Sequence, residues 1–167
     1  MRVYVPATIA MLEQLQRDGE LRAVSGTAFA LTPALRESYA VGDEEELSYA
    51  AMAEAARASL RLLAVELETD DAARPRRAVL SADVEDAQLR PDLDDAVVRL
   101  TAPVQLSQVA SAHVDLAEAE DAVRAAVAAV DAADLGDLEA EFVLGEVADH
   151  ELAWYATQEL PFLLELL

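Results

Sequence analysis

Short apolar runs alternate with segments of helical periodicity along the whole chain, and few architectures accommodate that order. Runs rich in β-branched and aromatic residues predict strands, whereas apolar residues at every third or fourth position predict helices. Strands are predicted at residues 2–5, 27–31, 77–84, 96–102, 112–114, 141–144 and 151–156. This order predicts an α/β or α+β fold, a layered domain in which helices pack on a mixed β-sheet.

Capping signals place two long helices at about 43–67 and 116–134. In a capping box, the side chain of the N-cap residue accepts a hydrogen bond from the backbone N–H three residues later. The acidic side chain of that later residue accepts in turn from the backbone N–H of the N-cap residue. Each predicted helix begins with such a pair, which is Asp43 with Glu46 and Asp115 with Glu118. Both starts are therefore specified locally.

The apolar content of 54% rests largely on alanine, which accounts for 36 of the 167 residues. Leu and Val must therefore supply most of the core volume. A chain of this length can bury a core as a single domain, 1–167. Residues 1–84 and 96–157 share a similar order of predicted strands and helices, so an internal duplication is an alternative description of the chain.

Acidic residues outnumber basic ones by 33 to 12, for a formal net charge of −21. Such a field repels nucleic-acid phosphates and anionic membrane surfaces, so we expect neither as a partner. The C-terminal run LPFLLELL is too short to span a bilayer, and no apolar signal core follows the N-terminus. We expect a cytoplasmic protein, and a protein partner or a homo-oligomer stays open.

Several groups that carry chemistry are missing from the sequence. The chain has no cysteine, which excludes disulfides, thiolate metal sites and a cysteine nucleophile. Its five glycines are isolated, so no phosphate-binding or dinucleotide-binding loop can form. We therefore expect no cofactor.

Several segments resemble those of a known group of proteins. They are MRVYVPAT, GTAFALTPALRESYA, GDEEELSYAAM, RPDLDDAVVRL, AHVD and WYATQELPFLLEL. Together they resemble an uncharacterised family of small acidic actinobacterial proteins of unknown function, over essentially the whole chain. The resemblance implies a bacterial cytoplasmic origin, and it implies no activity, cofactor or site residue.

His113 and Asp115 are the candidates for a metal site, because residues two apart lie on the same side of an extended strand. The alternative, which we favour, is that Asp115 caps a helix and His113 is an ordinary hydrogen-bonded strand residue. Asp92, Asp94 and Asp95 could likewise hold a hard cation. Aspartates after a proline are typical of turns, so we predict that these three lead into a strand.

Asp83 and Glu159 are the candidates for general acid–base catalysis. In open sheets of parallel strands, ligands collect outside the carboxyl ends of the strands. These two carboxylates follow predicted strands and have no evident capping role, so a pair of them could exchange protons or hold a cation. The alternative is that they are ordinary polar residues at strand ends.

Arg74, Arg76 and Arg77 form the single basic cluster, and guanidinium groups suit the carboxylates or phosphates of a partner. Internal pairing with residues 70–71 is the alternative that we favour. Trp154 on the last predicted strand is a further binding candidate, because an exposed aromatic side chain can anchor a partner. Packing of Trp154 in the core is the alternative.

Two classes of function follow from these candidates. The first is a non-catalytic cytoplasmic binding or regulatory protein that acts through protein–protein contacts. The second is a small metal-assisted hydrolase or transferase with a site at the strand ends near Asp83, His113 and Glu159. We favour the first, because a catalyst usually gathers a nucleophile, a base and charge-stabilising groups in one cleft, and no motif of that kind is present.

Overall fold

The computed structural model describes all residues of the chain, 1–167. It contains nine strands, which are β1 Arg2–Ala7, β2 Glu20–Leu21, β3 Thr27–Phe29, β4 Ala78–Asp83, β5 Gln88–Leu89, β6 Val97–Arg99, β7 Val104–Gln105, β8 Val109–Val114 and β9 Ala153–Ala156. It also contains six α-helices, which are α1 Ile9–Asp18, α2 Pro33–Ser38, α3 Glu44–Thr69, α4 Glu120–Asp134, α5 Leu138–Ala148 and α6 Leu160–Leu166. None of the helices combines the length and apolar character that a membrane crossing needs.

Seven strands form one sheet in the order β5-β6-β3-β1-β4-β8-β9, and β2 pairs with β7 separately. Every neighbouring pair is antiparallel. The fold is therefore α+β, as the layered prediction allowed, but the sheet is antiparallel and not mixed. The connection from β3 to β4, which includes α3, crosses over β1. As a result β1 lies between β3 and β4 and runs antiparallel to both.

The two faces of the sheet bury different side chains, because successive residues of a strand point to opposite faces. Val3, Val5 and Leu80 belong to a core that includes residues of α1 and α6. Tyr4 and Val79 point the other way and belong to a core that includes the first half of α3. The sheet is thus covered by helices on both sides.

Small side chains bring α3 close to the sheet. Ala51 and Ala55 are fully buried on the helix face that meets β1 and β4. The Ser59 hydroxyl donates to the Ala7 carbonyl at 2.7 Å and accepts from the Ala78 backbone N–H at 3.1 Å. Ser59 therefore joins the helix to the ends of two adjacent strands, and its buried hydroxyl is satisfied.

The helices α4 and α5 form a hairpin that packs on the second half of α3. Leu60 and Leu63 of α3 belong to one buried cluster with Val123 of α4 and Leu144 of α5. Residues 141–144 were predicted as a strand, and that prediction was wrong. A short apolar run does not distinguish a strand from a buried helix segment.

Two of the helix starts test the capping predictions. The Asp43 carboxylate accepts from the Glu46 backbone N–H at 2.9 Å, and α3 begins at Glu44 as predicted. The cap predicted at Asp115 was wrong, because α4 begins only at Glu120 and the Asp115 side chain is bonded elsewhere.

Arg77 and Asp115 form a buried ion pair between the start of β4 and the end of β8. Nε and Nη2 of Arg77 donate to the two carboxylate oxygens of Asp115, each at a distance of 2.8 Å. The Arg77 backbone N–H donates to Oδ2 of Asp115, also at 2.8 Å. Nη2 also donates to the His150 carbonyl at 2.7 Å. Asp115 is 0% exposed and Arg77 5%. This pair thus connects two strands and the segment that follows α5.

Asp115→Ala is expected to lower the free energy of unfolding by about 3–5 kcal/mol, because it leaves the Arg77 guanidinium buried without its counter-ion. Urea unfolding followed by circular dichroism measures this loss. The matched control is Asp131→Ala, which removes an exposed aspartate of α4 and should change stability by at most about 0.5 kcal/mol. A loss below about 1 kcal/mol for Asp115→Ala would contradict the role of the pair.

The aspartates at 92, 94 and 95 lie in the turn between β5 and β6. Asp92 pairs with Arg90 at 2.7 Å on the surface. Oδ1 of Asp94 accepts from the Asp95 backbone N–H at 2.7 Å, and the Asp94 carbonyl accepts from the Val97 N–H at 3.2 Å. These contacts are those of a turn that leads into a strand.

Replacing Asp94 and Asp95 together with alanine should cost at most about 1–2 kcal/mol, the range of a lost local backbone contact. Thermal unfolding with and without Mg²⁺ or Ca²⁺ tests this prediction. A melting temperature that rises with the cation in the wild type and not in the double variant would mean that these carboxylates form an ion site.

Candidate functional site

A groove of about 520 Å³ runs between α3 and α5. Nine of its 16 lining residues are hydrophobic, so its surface is chiefly apolar. The walls are formed by side chains of both helices, which are Met52, Ala56 and Leu60 on α3 and Leu144, Val147 and Ala148 on α5. A mostly apolar concavity with a few polar groups is the usual form of a binding site.

Charged side chains tie the two walls together. Nη2 of Arg57, on α3, donates to Glu141 on α5 and to Asp134 at the end of α4, each at 2.9 Å. Nε of Arg61 donates to Asp134 at 2.7 Å. The hydrogen bonds from Arg61 and Arg57 lower the pKa of Asp134 to about 2. The guanidinium of Arg57 is thus engaged by the protein's own carboxylates.

Arg77 also lines the groove, but its guanidinium is engaged by Asp115 and by the His150 carbonyl. Both arginines of the groove are therefore paired within the molecule. An anion in the groove would have to compete with these internal partners.

Glu54 lines the groove from α3 without an ion pair or a side-chain hydrogen bond. Its carboxyl remains open to solvent on one side. Partial burial raises the pKa of Glu54 and the negative charge of nearby Asp94 raises it further, whereas the positive charges of Arg57 and Arg61 lower it. Because neither arginine bonds to it, the Glu54 carboxylate is available to a positive group in the groove.

Gly145 lies in the interior of α5 and lines the groove. The other four glycines have positive φ angles, which favour glycine, and Gly145 does not. A Cβ atom built on Gly145 would meet nothing within 4 Å. The fold therefore does not require glycine at this position, although glycine weakens a helix interior.

Asp83 and Glu159, the candidates for acid–base catalysis, each have a partner other than one another. Asp83 pairs with Arg2 on the surface at 2.8 Å, and this bond lowers the pKa of its carboxyl. Glu159 accepts from the Ala156 backbone N–H at 2.9 Å, which is a capping role. Neither lines the groove. The proposed gathering of strand ends required parallel strands, and these strands are antiparallel.

His113 and Asp115, the candidates for a metal site, contact different groups of the protein. Nε2 of His113 lies 3.2 Å from the Ser81 hydroxyl and 3.1 Å from the Ser111 hydroxyl, and burial lowers the pKa of the ring. Asp115 is occupied by Arg77. No group of three or more His, Asp or Glu side chains is placed to hold a metal ion.

Two of the three clustered arginines pair internally, but not with residues 70–71. Arg76 donates to Glu120 at 2.8 Å, and Arg77 to Asp115 at the same distance. Arg74 is exposed and has no ion pair.

Trp154 on β9 is 61% exposed and lies opposite His113 of β8, outside the groove.

Reasoning from the sequence missed the groove, because α5 was predicted as a strand. One signal could have shown the helix. Gly136 has a φ of 94° and ends the preceding helical segment, and Asp137 then accepts from the Ala140 N–H at 2.9 Å as the N-cap of α5. A glycine followed by an aspartate is a typical boundary between two helices.

Gly145→Ala is expected to raise the free energy of unfolding by about 0.5–1 kcal/mol, because alanine favours the helix and its methyl group meets open space. Thermal or urea unfolding measures the change. The control is Gly26→Ala, where φ is +68° and a Cβ would lie 2.7 Å from the Leu100 carbonyl oxygen. Gly26→Ala should destabilise, and a destabilised Gly145→Ala would mean that the fold does need this glycine.

Comparison with known proteins places the chain in a family without giving it an activity. A family of unknown function, DUF6912, matches residues 1–164. No curated protein and no solved structure matches the chain. The sequence therefore belongs, over almost its whole length, to the DUF6912 family of proteins of unknown function.

Proposed function

We propose that this protein is a non-catalytic binding or regulatory protein that acts through protein–protein contacts, with the α3–α5 groove as its docking surface. The observation that carries the proposal is that the two helices of the apolar groove also carry exposed large apolar side chains. Phe142 and Leu138 of α5 are 70% and 84% exposed, and Tyr49 at the far end of the α3 wall is 55% exposed.

These side chains extend the apolar surface beyond the groove itself. Phe142 follows Leu138 by four residues and precedes Gly145 by three, so the three positions share the outward face of α5. Contiguous exposed apolar surface of this kind typically marks an interaction site, and aromatic side chains are frequent anchors. The geometry therefore supports a partner that covers both the groove and this face.

The polar groups of the groove give little support to catalysis. Arg57, Glu141 and Arg77 are engaged in internal ion pairs. Glu54 and His150 also line the groove, and no hydrogen bond joins their side chains to each other. A nucleophile with its base, or a pair of exchanging carboxylates, would need such a bond or a bridging water.

Charge favours a partner of a particular kind. With a net charge of −21, the chain repels nucleic acids, anionic membranes and a second copy of itself. We therefore propose a different protein as the partner, met in the cytoplasm of an actinobacterium, and a homo-oligomer is the less favoured alternative.

Gly145→Trp should weaken partner binding strongly, because the indole would project into the groove from a position where a Cβ atom meets no other group. The tagged full chain, expressed in its native organism, is expected to retain a stoichiometric partner. The variant is expected to lose about tenfold or more of it. Quantitative mass spectrometry of the purified complexes makes the comparison.

The control is Ala128→Trp, which places the same side chain on an exposed position of α4, and unfolding curves check that both variants fold. Equal retention of the partner by the two variants would show that the groove is not the docking surface. Recovery of no stoichiometric partner by the wild type would contradict the binding role itself.

A further inference from the structure

We infer that the occupant of the groove is a basic, amphipathic α-helix of a partner protein, seated so that its backbone passes close to Gly145. This inference rests on the proposed function and specifies the chemistry of the partner. It is carried by the unexplained glycine, the helical walls and the distribution of charge.

Gly145 points to a close approach from outside the molecule. A glycine in a helix interior costs about 0.5–1 kcal/mol relative to alanine. Apart from its chain neighbours and the surrounding backbone of α5 itself, no atom of the protein lies within 4 Å of the place where the Cβ of Gly145 would be. The neighbouring groove residues Ala148 and Ala56 are also small. Together they leave room for a third backbone to pack at the short distances of helix–helix contacts.

The walls favour a helical occupant over an extended one. Both walls are α-helices, whose backbone N–H and C=O groups are bonded within the helices. An extended segment in the groove would find no strand edge, and its own backbone groups would lose water without gaining partners. A helix satisfies its backbone internally and buries only side chains, as in other helix-in-groove complexes.

The length of the groove sets the length of the contact. The α3 wall from Tyr49 to Leu60 spans about 16 Å, and the α5 wall from Glu141 to Ala148 spans about 10 Å, at the rise of an α-helix. The contact therefore takes about two to three turns of a helix. Its apolar anchors should recur at i, i+3 or i+4, and i+7.

Charge determines the other face of the occupant. Glu54 and Glu151 line the groove without ion pairs, whereas the arginines Arg57 and Arg77 are neutralised by internal carboxylates. Against a chain of net charge −21, an acidic helix would be repelled. The flanks of the bound helix should therefore carry Lys or Arg, one of them beside Glu54.

A display library of random peptides of about 16 residues, long enough for four turns, tests the inference on the full chain. Selection on the wild type is followed by counter-selection on Gly145→Trp, so only groove-dependent peptides remain. The expected survivors have helical apolar spacing and net positive charge. As synthetic peptides they should gain helical circular dichroism on binding.

A second measurement uses the selected peptides to test the role of Glu54. Glu54→Gln should weaken their binding by about two- to fivefold, the effect of a partly exposed ion pair, and the loss should shrink at high salt. The matched control is Glu146→Gln, which changes an exposed glutamate of α5 outside the groove. An equal effect of the two variants would remove Glu54 from the contact.

The outcomes separate this inference from the proposed function. Groove-dependent survivors that are proline-rich, extended or acidic would overturn the basic helix and leave the docking surface intact. If no peptide distinguishes the wild type from Gly145→Trp, the groove is not a docking surface, and the proposed function fails with the inference.

Discussion

The buried ion pair between Arg77 and Asp115 holds together the parts of the molecule that form the groove. Arg77 immediately precedes β4, Asp115 immediately follows β8, and the His150 carbonyl bonded to the same guanidinium follows α5. One buried cation therefore sets the end of α5 relative to the sheet. The Arg57 contacts with Asp134 and Glu141 tie the other part of α5 to α3. A groove held by these contacts is preformed, and a preformed site lowers the entropic cost of binding.

The high alanine content acts on the same geometry. Alanines on α3 allow that helix to lie close to the sheet, and the Ser59 hydroxyl completes the contact with β1 and β4. The groove between α3 and α5 is lined by the small residues Ala56, Gly145 and Ala148, which fill little of it. Small side chains thus allow close packing of α3 on the sheet and also leave space between α3 and α5.

Features that depend on neighbouring residues could be predicted from the sequence. The start of α3 at Asp43 and the position of β4 follow from capping and from apolar periodicity, which act over a few residues. Asp115 shows the limit of such signals, because a long-range pair with Arg77 replaced the local cap. The apolar run at 141–144 was predicted as a strand because no local feature within it separates the two states.

The groove itself could not be predicted from the sequence. Its walls come from residues 49–60 and 141–148, which are far apart along the chain and meet only through the packing of α3 against the α4–α5 hairpin. The site considered at Asp83 and Glu159 assumed that strand ends meet at one edge, and an antiparallel sheet does not bring them together. Strand direction depends on the path of the connections, which no short pattern encodes.

Amide hydrogen exchange of the full chain, with and without the protein partner proposed above, tests the proposed docking surface most directly. Binding in the groove predicts slower exchange in α3 around residues 49–60 and in α5 around residues 141–148, because the occupant covers both helices and suppresses their local opening. Exchange in β8 and β9 should stay unchanged. Protection confined to β8 and β9, around the exposed Trp154, with α3 and α5 unaffected, would contradict the account.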